Sequence, residues 1–278
     1  MIETQASRTA LMVAGYRARA SEQTNPVCGD RWAAHLAGDV GIELSREFDK
    51  GYPDMELWIA LRTRYLDEQI RHWTERFHQV VMLGAGLDTR AARLARDDVR
   101  FYEVDHPATQ AMKREKLGEL AGYPVAAATY TPCNFEQQDF LEQLRETGFE
   151  VDRPAVVVWE GVVPYLTEEA VRATLKRIAD DCHPDTVVLF DYLMKRMGEG
   201  IDLPEKDRQV RDLVERVGEP VRFGLNEPVK LLYEQGFRYA RVISFNEIAL
   251  SFTGSYDRAR MFRFQHIALA SRTVHSIL

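Results

Sequence analysis

Residues 80–90 read VVMLGAGLDTR, and this stretch decides the fold class. A short run of apolar, mostly β-branched residues ends at Gly84-Ala85-Gly86, and helix-compatible residues begin near Asp88. Such a run is typical of a strand buried in a parallel sheet. Glycines let the chain turn sharply and let a ligand approach the backbone, and a following helix N-terminus offers unpaired N–H donors. The stretch therefore predicts a strand, a glycine loop and a helix, with candidate ligand contacts at Gly84, Ala85 and Gly86.

Short apolar runs of the same type recur along the chain. They cover residues 101–104, 125–130, 154–159 and 186–190, and two further strand-like runs, 239–245 and 262–270, lie near the C-terminus. Strands that alternate with helices indicate βαβ units and a sheet buried on both faces. The sequence therefore predicts a doubly wound α/β fold.

The remaining segments predict how the chain is divided. A length of 278 residues allows one or two domains, and we predict one. Residues 1–78 form a helical cap, because 5–20 and 55–77 favour helices and strand-like runs begin only near residue 79. Residues 79–191 form the core, and 237–278 contain the last two strands. Residues 192–236 form a lid-like insertion, since they exceed a usual βα connection.

Composition excludes several classes of protein. Hydrophobic residues make up 45% and charged residues 28%, as in a globular chain and unlike a disordered one. A net charge of −7 argues against nucleic acid and anionic membranes as partners. No apolar run approaches the ~20 residues that span a bilayer, and the N-terminus does not resemble a secretory signal. Three widely spaced cysteines without a CxxC indicate free thiols, no metal site and a cytoplasmic location.

A carboxylate at the end of the second strand points to the class of cofactor. Asp105 ends the run 102–105, 19 residues after Gly86, where an acid can accept hydrogen bonds from the hydroxyls of a ribose. The dinucleotide fingerprint requires a third glycine, but Thr89 occupies that position, and Asp88 would repel a pyrophosphate. S-adenosylmethionine, which has no phosphates and carries an amino-acid tail, fits better. An NAD(P)-dependent oxidoreductase remains the alternative.

Three motifs together resemble the leucine carboxyl methyltransferase family, which also contains bacterial polyketide O-methyltransferases. They are LGAGLDTR at 83–90, YEVDHP at 102–107 and WEGVVPYL at 159–166. The resemblance implies a class I methyltransferase with S-adenosylmethionine as cofactor. It also implies a Rossmann-like seven-stranded sheet whose last strand is antiparallel, with a helical cap.

The resemblance implies roles for residues that follow three of the strands. Gly84 and Gly86 would form the loop under the cofactor, and Asp105 would hold the ribose. Asn134 and Phe135 lie where the family has an Asp-Leu pair beside the adenine, and an Asn side chain can both donate and accept there.

The resemblance also implies residues for the methionine end of the cofactor. Glu160 would lie close to it, Arg62 would pair with its carboxylate, and Arg19 matches a basic position with a similar role. Ion pairs along a helix would explain Arg62 equally well without the resemblance. Tyr165 is either a substrate contact or a packing residue.

The resemblance implies methyl transfer to oxygen but leaves the acceptor open. A carboxylate is ionised at neutral pH and needs no base, whereas a phenol with a pKa near 10 would benefit from one. The sequence names no such base. We expect a small, polyketide-like acceptor ahead of a peptide C-terminus. A protein that binds S-adenosylmethionine without catalysis is a further alternative, because a fold alone does not establish an activity.

Overall fold

A computed structural model describes residues 7–135, 137–216, 220–258 and 262–274. One seven-stranded sheet has the strand order β3-β2-β1-β4-β5-β7-β6. The strands are β1 (Gln79–Leu83), β2 (Arg100–Asp105), β3 (Ala128–Pro132), β4 (Val156–Trp159), β5 (Val187–Leu193), β6 (Tyr239–Ser244) and β7 (Gln265–Ser271). The doubly wound α/β prediction is confirmed. Two strands begin three residues later than predicted: 125–127 form a 3-10 turn before Ala128, and β7 begins at Gln265 rather than at residue 262.

The direction of the strands also agrees with the prediction. Strands β1 to β5 pair in parallel, with β1 between β2 and β4. Strand β7 lies between β5 and β6 and runs antiparallel to both. The antiparallel last strand is therefore confirmed. All residues of β1, β4 and β5 are buried, as expected for parallel strands covered on both faces.

The helices that cover the sheet fall into four groups along the chain. Before β1 lie α1 (Arg8–Ser21), α2 (Ala33–Asp49) and α3 (Met55–Thr74). Between the core strands lie α4 (Arg90–Arg93), α5 (Pro107–Gly118), α6 (Phe140–Glu146) and α7 (Glu168–Asp181). Between β5 and β6 lie α8 (Lys195–Glu199), α9 (Glu205–Arg216) and α10 (Pro228–Glu234), and α11 (Phe245–Thr253) precedes β7. The helix predicted after the glycine loop is only one turn long.

The two faces of the sheet carry separate hydrophobic clusters. Val80 and Met82 of β1 pack with Trp58 of α3 on one face. Val81 and Leu83 pack with Leu175 of α7 on the other. This alternation follows from the two-residue period of a strand. Among the described helices, none has the length and apolar character needed to cross a bilayer.

Candidate active site

A cavity lies at the carboxyl ends of β1 to β4, which is where open α/β sheets bind ligands. Its remaining walls come from α1, from Arg62 of α3, from the turn that carries Tyr165, and from Pro220 and Arg222 between β5 and β6. The cavity is lined by the following residues predicted from the sequence: Arg62, Gly84, Ala85, Gly86, Asp105, Asn134, Phe135, Glu160 and Tyr165. The fold thus brings together side chains from four strand ends and from α3.

The glycine loop has a backbone that other residues would strain. Gly84 has φ +68° and Gly86 has φ +51°, both in the left-handed region. A Cβ on Gly84 would lie 2.3 Å from the Cγ2 of Val162. The N–H of Gly84 donates to the carbonyl of Val104 at 2.8 Å, which ties the loop to β2. The loop therefore requires glycine at position 84 for conformation and for space.

Asp105 is fixed at the cavity wall by two backbone donors. The N–H of Gly86 donates to its Oδ2, and the N–H of His106 donates to its Oδ1 at 2.6 Å. Burial raises the pKa of Asp105, and these two N–H groups oppose that effect. A carboxylate oxygen can accept more than one hydrogen bond, so both oxygens retain capacity for ligand hydroxyls.

The segment after β3 extends the same wall. The N–H of Cys133 donates to the carbonyl of Asp105 at 2.8 Å, which places Asn134 and Phe135 beside the carboxylate. The ring of Phe135 lies 6.3 Å from that of Phe140 on α6. This corner therefore offers an amide group and an aromatic ring to a planar ligand.

Glu160 follows β4 and lies between two buried arginines. Its Oε1 is 2.7 Å from Nε of Arg62, and its Oε2 contacts Nη1 of Arg90. Burial acts to raise the pKa of Glu160, but Arg90 and Arg62 outweigh it and hold the pKa below its usual range. Glu160 is therefore an anion at neutral pH and a poor proton acceptor.

Asp191 completes this charge arrangement and was missed from the sequence. Its Oδ2 is 2.7 Å from Nη1 of Arg62, and its Oδ1 accepts from the N–H of Gly161 at 2.6 Å. An acid within the otherwise apolar run of β5 was the available signal. Glu160 and Asp191 engage Nε and Nη1 of Arg62, whereas its Nη2, beside Gly161, makes no ion pair with a described residue and can donate to a ligand.

The structure does not bring Arg19 to the cavity. Its guanidinium faces α2 and α3, where Nη2 lies 2.6 Å from Asp49 and 3.1 Å from Glu56. Arg17 lines the cavity instead; its Nη2 donates to the carbonyl of Leu87 at 2.6 Å. The two positions are about 200° apart around a helix, so only one of them can face the sheet.

Arg222 is a further lining residue that the sequence did not single out. The N–H groups of Arg222 and Phe223 donate to the carbonyl of Pro164, at 2.8 and 3.1 Å. These bonds hold the end of the insertion against the turn that carries Tyr165. Arg222 is exposed and lines the cavity, so it lies at the rim.

The fold and the site together define a Rossmann-like protein with a glycine loop and a buried carboxylate at the end of β2. Residues 10–179 match the model of the family "Leucine carboxyl methyltransferase", which is more than half of the 278 residues. The chain belongs to this family, and the predicted family is confirmed.

Relatives and solved structures agree with this assignment. A Mycobacterium avium protein named "Putative S-adenosyl-L-methionine-dependent methyltransferase" is 33% identical over 214 residues, which cover 69% of this chain and 70% of the relative. A DUF574 family protein from Streptomyces avermitilis superposes with a TM-score of 0.67 at 15% identity, covering 98% of this chain and 100% of its own. The methyltransferase SibL gives 0.51 at 14% identity, covering 94% and 69%. The structural matches show the fold, and the predicted S-adenosyl-L-methionine cofactor is confirmed at the level of the family.

The hydrogen-bond donors and acceptors that line the cavity fit this cofactor. Asp105 offers acceptors for hydroxyls, Asn134 offers a donor and an acceptor, and Arg62 offers a cationic donor for a carboxylate. The glycine loop leaves its backbone close to the cavity between them. Anions at Asp88, Asp105 and Glu160 also suit a cationic sulfonium.

Proposed function

We propose that this chain is an O-methyltransferase that uses S-adenosyl-L-methionine to methylate a carboxylate of a small organic acid. When bound, the cofactor supplies an activated methyl group on a cationic sulfur, and a carboxylate oxygen can accept it without first losing a proton. The task left to the protein is to hold donor and acceptor in line and to exclude water.

We assign the cofactor-binding roles from the positions of the charges. Asp105 holds the ribose, and Asn134 with Phe135 contacts the adenine ring. Arg62 and Arg17 bind the carboxylate of the methionine end, and the glycine loop lies beneath the cofactor. Support comes from the strand order, because Asp105 ends β2 on one side of β1, whereas Arg62 contacts Glu160 after β4 on the other side. Glu160 orients Arg62 through its 2.7 Å contact.

The acceptor end of the cavity lies at the β4 side, beyond Glu160. Its wall comprises Val162, Tyr165, Leu166, Pro220 and Arg222. The histidine among the lining residues is His106, which follows β2 and caps α5 through its Nδ1, 3.2 Å from the N–H of Ala108. The observation that carries the proposal is the Arg222 cation at the rim, together with a wall whose described residues include no histidine.

A carboxylate acceptor fits this wall better than a phenol does. Phenols need a base at neutral pH, and Glu160 is held as a low-pKa anion between two arginines. A carboxylate is ionised at neutral pH, and the Arg222 guanidinium can orient it with two parallel hydrogen bonds. Tyr165 then contacts the acceptor beside the transferred methyl group. The apolar residues favour a small hydrophobic acid over a peptide C-terminus.

The test is methyl transfer from isotopically labelled cofactor to matched pairs of aromatic carboxylic acids and phenols, with a leucine-terminated peptide as a third arm. We expect product from the acids, released by mild alkali as esters are. Alkali-stable product from the phenols alone would contradict the carboxylate assignment, and transfer to none of the three arms would contradict O-methylation of this acceptor class.

Arg222 provides the matched variants. Arg222→Ala should raise KM for acids about tenfold or more with a smaller effect on kcat, because the charge-assisted contact contributes roughly 1.5–3 kcal/mol. Arg222→Lys should lie between this variant and the wild type. Arg208→Ala removes an exposed arginine of the same insertion that does not line the cavity, so it should change KM less than about twofold.

The cofactor assignment has its own test. Calorimetry with S-adenosylhomocysteine and NAD(P) should show binding of the first and none of the second. Asp105→Ala should weaken S-adenosylhomocysteine by about 100-fold, as expected for two lost hydrogen bonds to a charged acceptor. Unchanged affinity would remove Asp105 from the ribose site, and tight NAD(P) binding would favour the oxidoreductase.

A further inference from the structure

A second concavity lies next to α4. It is formed by the loop between α1 and α2, by α3 and by α4, and has a volume of about 540 Å³. Its lining shares no residue with the cofactor cavity. We call it the arginine groove, because it is lined by Arg31, Arg64, Arg71 and Arg93.

The acids of the arginine groove are already neutralised from outside it. Asp30 lies 3.0 Å from Nε of Arg17, and Asp67 lies 2.6 Å from Nε of Arg90. Both acids are buried, with 2% and 4% of their surfaces exposed. Arg93 contacts Asp67 from the groove side. The floor of the groove is therefore balanced without the arginines at the rim.

The rim carries positive charge that the described residues do not balance. Arg64 lies 2.6 Å from Glu68, whereas no described carboxylate lies within ion-pair distance of Arg31 or Arg71. The Arg31 guanidinium stacks 4.3 Å from the ring of Trp32, which restricts where it points. In a chain with a net charge of −7, two uncompensated arginines at one concavity form a local anion-binding surface.

We propose that the arginine groove binds the phosphate group of a small soluble ligand. Guanidinium groups match the oxygens of phosphate with paired hydrogen bonds, and several arginines around one concavity suit an anion with more than one charge. Arg31 and Arg71 provide the direct contacts. The site is separate from the cofactor cavity and is independent of the methyl acceptor.

Calorimetric titration of the full chain with inorganic phosphate, at pH 7.5 and low ionic strength, tests the proposal. We expect saturable binding that is unchanged by saturating S-adenosylhomocysteine. Absence of saturable binding would overturn the proposal, and so would competition by S-adenosylhomocysteine, because that would locate the phosphate in the cofactor cavity.

Two charge-matched pairs of variants distinguish a defined phosphate site from attraction by the net charge of the protein. The double variant Arg31→Ala/Arg71→Ala should weaken phosphate by about tenfold or more, since two charge-assisted contacts are lost. Arg100→Ala/Arg153→Ala removes the same charge from exposed arginines near Glu150 and should change the affinity less than about twofold. Arg31→Lys/Arg71→Lys keeps the charge and should retain part of the binding. Equal losses in both alanine pairs would show attraction by net charge alone and would overturn the site.

Discussion

The Arg90→Met variant tests whether one buried guanidinium stabilises the segment that follows the glycine loop. Arg90 is 2% exposed and contacts three carboxylates: those of Asp67 at 2.6 Å, of Asp88 and of Glu160. After the substitution Asp67 keeps Arg93 and Glu160 keeps Arg62. Asp88 keeps the hydrogen bond from the N–H of residue 90, at 2.7 Å, and no ion pair within the described part of the chain.

The expected loss in the free energy of unfolding depends on which of the three carboxylates keep a cationic partner. Asp88 loses the one ion pair that it makes with a described residue, and breaking such a buried pair costs about 3–5 kcal/mol. A natural domain has a free energy of unfolding of roughly 5–15 kcal/mol, so the variant should still fold. Its thermal midpoint should fall by roughly 5–9 °C for a chain of this size.

Urea unfolding, followed by far-UV circular dichroism and tryptophan fluorescence at pH 7.5, measures this loss. Adding Asp88→Asn to Arg90→Met should recover about 1–3 kcal/mol, because the unpaired charge is gone while an oxygen remains for the residue 90 N–H. Asp88→Asn alone should destabilise. A loss below about 1 kcal/mol in Arg90→Met, or no recovery in the double variant, would refute the reasoning.

The pH dependence of the free energy of unfolding provides a second, independent test of the Arg90–Asp88 ion pair. Burial acts to raise the pKa of Asp88, but Arg90 outweighs it and holds the pKa well below its usual range. In the wild type this group therefore stabilises above its unfolded pKa of about 4, and the contribution is lost as the pH falls below that value. In Arg90→Met the largest of the charges that oppose burial is lost while Arg17, Arg93 and Lys113 remain, so the folded pKa of Asp88 should rise and this pH-dependent contribution should shrink.

Three further predictions concern the loop, α1 and a buried acid. Gly84→Ala should destabilise by about 1–3 kcal/mol because of its φ of +68° and its 2.3 Å approach to Val162, and Val162→Ala should recover only the steric part on thermal unfolding. Arg17→Ala should weaken S-adenosylhomocysteine about tenfold, whereas Arg19→Ala should change it less than about twofold; equal effects in calorimetry would contradict the placement of α1. Burial raises the pKa of Glu103 to about 7, so the folded protein retains a proton that the unfolded chain releases above 4.5. The stability of the wild type relative to Glu103→Gln should therefore fall between pH 4.5 and 7, by up to about 3 kcal/mol in urea unfolding, and a constant difference would contradict this assignment.

The strands were predictable because burial on both faces leaves a strong pattern in sequence. The run at 80–83 and the run at 186–190 are continuous and apolar, as buried parallel strands require. Helix α2 was missed because it contains Gly38 and Gly41, which disfavour a helix locally. A Cβ on Gly15 would lie 2.2 Å from the carbonyl oxygen of Gly41. Gly15 and Gly41 therefore allow α1 and α2 to cross closely. Tertiary packing of this type leaves no local signal.

The residues of the candidate site were likewise predictable where they lie at strand ends and unpredictable where tertiary contacts place them. Gly84, Asp105 and Glu160 follow strands, and the carboxyl ends of parallel strands meet at one edge, so their convergence was predictable. The choice between Arg17 and Arg19 depends on which face of α1 meets the sheet, and helical spacing alone does not decide it. Arg222 reaches the cavity only through the contacts with Pro164, which join segments distant in sequence.

The walls of the cofactor cavity have a consequence for the order in which the chain folds. Arg17 reaches Leu87 across 70 positions, Ser7 reaches Thr109 across 102, and Arg62 reaches Asp191 across 129. Contacts of such long range form late, because closing long loops costs entropy. Although α1 is synthesised first, a nascent chain that stops before residue 191 lacks the anchor of Arg62. The cofactor stabilises only the completed arrangement by mass action, so a rise in unfolding temperature with S-adenosylhomocysteine reports that the chain has finished folding.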